Sequence, residues 1–290
     1  MLVLAGTVPL DDPYIIEGTA AIVNGKLKVS EHYLDISAGT SAMGAAATIT
    51  SSYLGIEPPY CVLAGDLGQG DGSTNLYSYL RDKLFSTAPG VVTLHYMMPK
   101  IYEMVDFGFA LEESKHKPLL VADAGAMYGA KISGIGHVFD LFTPDKGEMA
   151  FLADPDAAHP MFVNENLYDF PDERIPEIVK NAYRTNPLPY NLLIKGSVDY
   201  VVQNGSITKT VDRPNLPAME AVGGTGDTLT GIVSALIQSG ESIENACYKA
   251  AMINRIAGEY CKIKPNTQIP KLINSIPQAL EFVMDGDGLE

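Results

Sequence analysis

The stretch from Ala221 to Gly240, AVGGTGDTLTGIVSALIQSG, limits what this chain can fold into more than any other. Its glycine-rich opening runs into Ile232, Val233, Leu236 and Ile237, spaced as one face of a helix. Gly240 stands where a left-handed C-cap belongs, so a helix is expected from near Gly226, with Asp227 in its first turn. Glycines let a ligand reach the backbone, and the first N–H groups of a helix have no intrahelical acceptor. Such a terminus binds phosphate through hydrogen bonds and the helix dipole. Asp227 changes its meaning. A carboxylate there either complements the dipole, worth about 0.3–1 kcal/mol, or serves as base to a hydroxyl that attacks the bound phosphate.

A helix of this kind needs a sheet behind it. Apolar strand-like runs alternate with helical segments along all 290 residues, no low-complexity linker divides them, and a hydrophobic fraction of 46% is ample for a core. The expectation is one α/β domain over 1–290, with a central, mostly parallel sheet and helices on both faces. The formal net charge of −15 disfavours nucleic acid, and the apolar runs are too short to span a membrane. Cys61, Cys247 and Cys261 are odd in number and widely spaced, as in the reduced thiols of a cytoplasmic protein.

In chain order, residues 1–35 read as strands with a hairpin turning at Asn24-Gly25. Gly39-Thr40-Ser41 opens an alanine-rich helix ending near Gly55, where Thr40 or Ser41 is an N-cap or the turn belongs to a substrate site. A strand over Cys61–Ala64 leads through a glycine loop, with Asp66 and Gly68, to a helix over 73–84. That loop sits where open α/β sheets place ligands, so Asp66 and Gly68 are either substrate contacts or turn residues. GVVTLHYM is a strand, 99–115 a helix, and PLLVADAGAM a strand ending at Asp123. A strand over 138–142 runs into Thr143-Pro144 and a helix with Asp145 and Glu148 at its start. Glu148 either orients a metal-bound water or complements the dipole. Residues 153–190 read as a peripheral excursion with one helix. Lys195-Gly196 ends a further strand before a hairpin at Asn204-Gly205. Helices are expected over 242–262 and 270–284, and the terminal DGDG reads as a tail too short for a calcium loop.

GGTGDTLTG resembles the GxGD signature of the ribokinase-like superfamily, in particular the carbohydrate-kinase branch that includes ADP/ATP-dependent NAD(P)H-hydrate dehydratases. TPDKGEMA is similar to that branch's T-P-H-P-G-E-M-A, and Asp123-Ala124-Gly125 stands where D-x-D is usual, so the second carboxylate is missing. The resemblance covers most of 35–284. It implies a ribokinase-like fold, an anion hole on Gly224, Thr225 and Gly226 beside Gly223, and a catalytic base on Asp227. It further implies Lys195 and Gly196 near nucleotide phosphates, although a solvated lysine fits the sequence equally. ATP or ADP is the implied nucleotide, with Mg²⁺ near Glu148, Asp145 and Asp123. The expected activity is phosphoryl transfer to a hydroxyl of a small molecule. The alternatives are the hydrate dehydratase and a catalytically idle nucleotide-binding sensor. The acceptor stays unnamed, and a homo-oligomer stays open.

Overall fold

The computed structural model describes residues 1–163 and 171–286. Eleven strands form one sheet in the order β11-β10-β9-β8-β7-β6-β1-β5-β2-β3-β4. They are β1 Leu2–Val8, β2 Ile15–Val23, β3 Lys26–Val29, β4 His32–Asp35, β5 Tyr60–Gly65, β6 Val91–His95, β7 Leu119–Asp123, β8 Leu141–Phe142, β9 Asn191–Ile194, β10 Asp199–Gln203 and β11 Ser206–Val211. The middle, from β9 to β5, is parallel throughout; β10–β11 and β2–β4 extend it with antiparallel pairs. A mostly parallel α/β sheet is therefore what the alternating pattern produced.

The parallel strands are buried on both faces, and their residues join two cores alternately because successive side chains leave opposite faces. Leu2 and Leu4 join one core, and Val3 and Ala5 the other. The first core is covered by helices α1 Thr40–Tyr53, α7 Thr225–Gln238, α8 Ile243–Tyr260, α9 Ile269–Ile273 and α10 Ile276–Met284. The second lies under α2 Asp71–Asp82, α3 Ile101–Glu113, α4 Ala124–Ile132, α5 Lys146–Ala153 and α6 Ile175–Thr185. Among the described residues no helix is long and apolar enough to cross a membrane.

Local signals decide several boundaries. Asn24-Gly25 and Asn204-Gly205 turn with positive φ at both residues, as tight hairpins require. Helix α7 closes at Gly240, φ 102°, whose N–H bonds Ile237 while that of Glu241 bonds Leu236. The N-cap of α1 is Gly39, φ 86°, with no side-chain cap, so neither Thr40 nor Ser41 caps it. The strand expected over 138–142 shrinks to Leu141–Phe142, because Gly136–Val138 winds as a 3₁₀ turn under a neighbouring backbone. A Cβ on Gly136 would lie 2.3 Å from the Pro187 carbonyl oxygen. The final helix divides in two, α9 and α10. All three cysteines are buried and free. The end of the terminal DGDG, at 287–288, and residues 164–170 of the excursion lie outside the described residues.

Candidate active site

Four parallel strands deliver polar residues to one edge. Strand β6 ends at His95 and β7 at Asp123, paired in register; β8 runs on into Thr143 and β9 into Lys195, which bridges Asp145. Carboxyl ends of parallel strands are where open α/β sheets bind ligands. A cavity of about 830 Å³ opens there, large enough for a nucleotide and a small substrate.

Helix α7 enters this edge by packing unusually close to α1. Gly231 makes that possible, since a Cβ there would stand 2.3 Å from the Met43 carbonyl oxygen. The approach brings two helix N-termini together, and the Gly39 N–H donates to Asp227 Oδ2 at 2.5 Å. His95 Nε2 lies 3.1 Å from Asp227 Oδ1. Burial pushes the Asp227 carboxyl up. The hydrogen bonds from His95 and Gly39 and the nearby Lys195 charge outweigh it and hold the group below the usual carboxylate range. Asp227 is thus an ionised, immobilised carboxylate in the first turn of α7, at the cavity wall.

Lys195 is neither solvated nor free. Its Nζ donates to both oxygens of Asp123 at 2.9 Å, while Thr230 Oγ1 and the Ala124 N–H complete that carboxylate. Burial pulls the Lys195 ammonium down; Asp123 and Glu148 more than offset this and raise it. His95, Asp123 and Asp227 offer ligand atoms within 4.8 Å of one another, as a metal site would. The Lys195 ammonium already fills the Asp123 side of that group.

Gly223, Gly224, Thr225, Gly226, Lys195 and Gly196 all line the cavity, as do Asp123, Asp145 and Glu148. Gly224 has φ 99°, a left-handed conformation that a side chain would strain, and it starts α7. Thr225 turns its hydroxyl back onto the carbonyls of Met219 and Val222 at the cavity wall. Asp145 and Glu148 form a full capping box, each side chain accepting from the other's N–H. The dipole-and-cap role is therefore real. Removal from water, with Asp123 and Asp145 adding to it against the Lys195 charge, pushes Glu148 up to about 8. Tyr128 donates to its other oxygen at 2.5 Å.

Other expected residues lie elsewhere. Asp66 and Gly68 do not line the cavity. The Asp66 carboxylate accepts from the N–H groups of Gly68, Gln69, Gly70 and Ser73, so it is spent on shaping its own loop. Gly39 and Thr40 stand behind the wall, supporting it through Asp227 and His95, while their neighbour Ala38 lines it. The missing second carboxylate after Asp123 has a steric reason: a Cβ on Gly125 would meet the Met97 carbonyl oxygen at 2.2 Å. The excursion is not wholly peripheral. Asp172 reaches the cavity and binds Lys146 and Ser197. Sequence reasoning passed over His95 altogether. Its one signal was a polar residue closing an otherwise apolar strand at the ligand-binding end of the sheet.

Residues 103–279 match the sequence pattern of the Carb_kinase family, described as NAD(P)H-hydrate dehydratase. The chain belongs to this family. An uncharacterized protein of Methanocaldococcus jannaschii is 40% identical over 220 residues, which is 76% of this chain and 90% of that one. The bifunctional NAD(P)H-hydrate repair enzyme of Hyperthermus butylicus is 40% identical over 91 residues, only 31% of this chain and 16% of its own length. In structure, the chain resembles the ADP/ATP-dependent NAD(P)H-hydrate dehydratase of Bacillus subtilis co-crystallized with ATP/Mg²⁺ and soaked with CoA. That match has a TM-score of 0.60 over 97% of this chain and 91% of the other, at 12% identity. The fold is ribokinase-like, and the family is one of enzymes. Its description is that of the hydrate dehydratase, the alternative to a generic small-molecule kinase.

Proposed function

We propose that this protein dehydrates hydrated NADH or NADPH at the expense of ADP or ATP. The observation that carries this reading is the ionised Asp227 at the N-terminus of α7, within a wall whose family is that of the dehydratases. Asp227 takes the proton from the hydroxyl of the hydrated ring. The N–H groups of Gly224, Thr225 and Gly226 cradle the phosphoryl group as it moves to that oxygen. Transfer leaves ADP from ATP, or AMP from ADP; the C–O bond to phosphate then breaks, the adjacent ring carbon loses a proton to solvent, and the ring double bond is restored. Little covalent work falls to the protein; positioning and charge carry the reaction.

The cavity wall is acidic. Among the described residues its three basic side chains are each paired with a wall carboxylate: Lys146 with Asp172, Lys195 with Asp123, and Arg255 with Asp199. Asp145, Glu220 and Asp227 remain as further acids on the same wall, and a cation there would draw the raised Glu148 into its ionised form. A nucleotide phosphate would meet net repulsion, so a divalent cation fits the donor set. Asp145 and Glu148 would hold Mg²⁺ through its waters. When bound, Mg²⁺ supplies neutralisation of phosphate charge.

The test supplies hydrated NADH with ADP or ATP and Mg²⁺ and follows absorbance of reduced nicotinamide. The expected result is a rise matched one-for-one by inorganic phosphate, lowered roughly 10²–10⁴-fold by Asp227→Asn and abolished by chelation. A second reading has one observation in its favour, the space at Gly125 that admits no second carboxylate. On that reading the enzyme is a kinase that leaves phosphate on its product. No absorbance change, with ATP consumed only when an alcohol or sugar is present, would decide for it.

A further inference from the structure

We infer that His95 is a positioning residue for Asp227, and that Thr40 sets the tautomer in which it works. The inference rests on the reading of Asp227 as the base. His95 is 0% exposed, and both its ring nitrogens are engaged. Nδ1 lies 3.0 Å from Thr40 Oγ1, and Nε2 lies 3.1 Å from Asp227 Oδ1. A neutral imidazole carries one donor and one acceptor. The ionised Asp227 can only accept, so the proton of a neutral ring belongs on Nε2, and its Nδ1 then accepts from the Thr40 hydroxyl. Thr40 is the first residue of α1 and is itself buried.

Room for this chain of bonds comes from Gly6 on β1. A Cβ there would stand 2.8 Å from Thr40 Oγ1 and 2.3 Å from the His95 carbonyl oxygen. Three elements therefore aim one N–H: β6 carries the ring, α1 carries the hydroxyl that fixes its tautomer, and β1 is cut away to seat both. With the Gly39 N–H on Oδ2, each oxygen of Asp227 is held by a separate donor, and the carboxylate cannot turn. The other groups near the ring are Asp123 Oδ2 at 3.8 Å and the Tyr96 ring, edge-on at 4.4 Å between centroids. Lys195 reaches it only through Asp123. A histidine buried merely to fill the core would need neither the hydroxyl behind it nor the carboxylate ahead.

The experiment compares H95Q, H95L and T40V with the wild type in nucleotide-dependent turnover. Gln keeps an N–H that can reach Asp227, Leu keeps only bulk, and Val replaces the Thr40 hydroxyl with a methyl. H95L should lower kcat about 10²-fold while the nucleotide KM stays within about twofold; H95Q should recover at least about tenfold of that loss, and T40V should lose about tenfold. H95L within about threefold of wild-type kcat, or H95Q no better than H95L, overturns the inference. Should H95L fail to fold by circular dichroism, T40V decides, since it leaves the ring in place: full activity refutes the role of Thr40 and of the tautomer. A separate readout needs no turnover. The ¹⁵N shifts of the wild-type ring should show the Nε2–H form, and an Nδ1–H form refutes the assignment. A wild type without nucleotide-dependent turnover on hydrate or alcohol counts against the proposed function, and the ring tautomer still tests this inference.

Discussion

Replacing Lys195 by Met keeps most of the side chain's bulk and deletes its charge. The partner left behind is Asp123, 2% exposed. Removing one member of a buried ion pair strands the other, at a cost of about 3–5 kcal/mol. Asp123 would keep two donors, the Thr230 hydroxyl at 2.6 Å and the Ala124 N–H at 2.9 Å. That places the expected loss at the lower end, about 3 kcal/mol, or about 6 °C in melting temperature for a chain of this size. Urea denaturation of K195M, D123N and the double variant closes the cycle. The double variant should be more stable than K195M by about 1–2 kcal/mol, because the stranded charge is gone. The ammonium is held above its ordinary value. Its contribution is therefore fully present below about pH 10.4 and lost only as pH rises through the folded value, so the deficit of K195M should be flat across neutral pH. A K195M protein within about 0.5 kcal/mol of wild type would return Lys195 to the status of a solvated surface lysine.

Three further outcomes are expected. In G226V the added carbons crowd Lys195, whose Nζ would lie 3.4 Å from a Cβ at that position, and the thermal upshift given by ADP or ATP with Mg²⁺ should vanish; an unchanged shift would place the nucleotide elsewhere. G125D should not restore a working second carboxylate but should destabilise the fold by more than about 3 kcal/mol, read by denaturation; a stable G125D protein with raised turnover refutes the steric reasoning. Asp66 is held below the usual carboxylate range: burial pushes it up, and the donors of Gly70, Ser73 and Gly68 outweigh that. Its contribution is thus present above about pH 3.9 and lost as pH falls through the lower folded value, so D66A should cost about 2 kcal/mol at neutral pH and progressively less in acid. Parallel acid titrations of the two proteins would expose the error.

What was legible in the sequence was what neighbouring residues decide. Asn-Gly turns declare hairpins, glycine followed by a period of 3.6 declares α7, and Gly240 its end, because each depends on φ and side-chain spacing within one turn. The parallel centre followed from strands alternating with helices. The cavity was harder to read because its contacts are distant. His95 and Asp227 are 132 residues apart, and nothing near His95 in sequence announces a carboxylate. Lys195 presented two options, phosphate or water, whereas the sheet gives it a third partner, Asp123, from two strands away. Asp66 looked like a ligand-loop residue by position, but four nearby N–H groups claimed it first.

The seam between α1 and α7 carries a consequence for anyone who would stabilise this enzyme. Gly231 follows Asp227 by four residues, so both lie on one face of the helix. Exchanging a helical glycine for alanine is a common route to a hardier protein, gaining about 0.4–1 kcal/mol where the backbone allows it. Here the missing methyl is the spacer that sets the height of Asp227 above Gly39. Adding it wedges the helices apart against the Met43 carbonyl, and the carboxylate rides outward with them. A gain in heat tolerance sought at Gly231 would therefore be taken from the placement of Asp227 against Gly39.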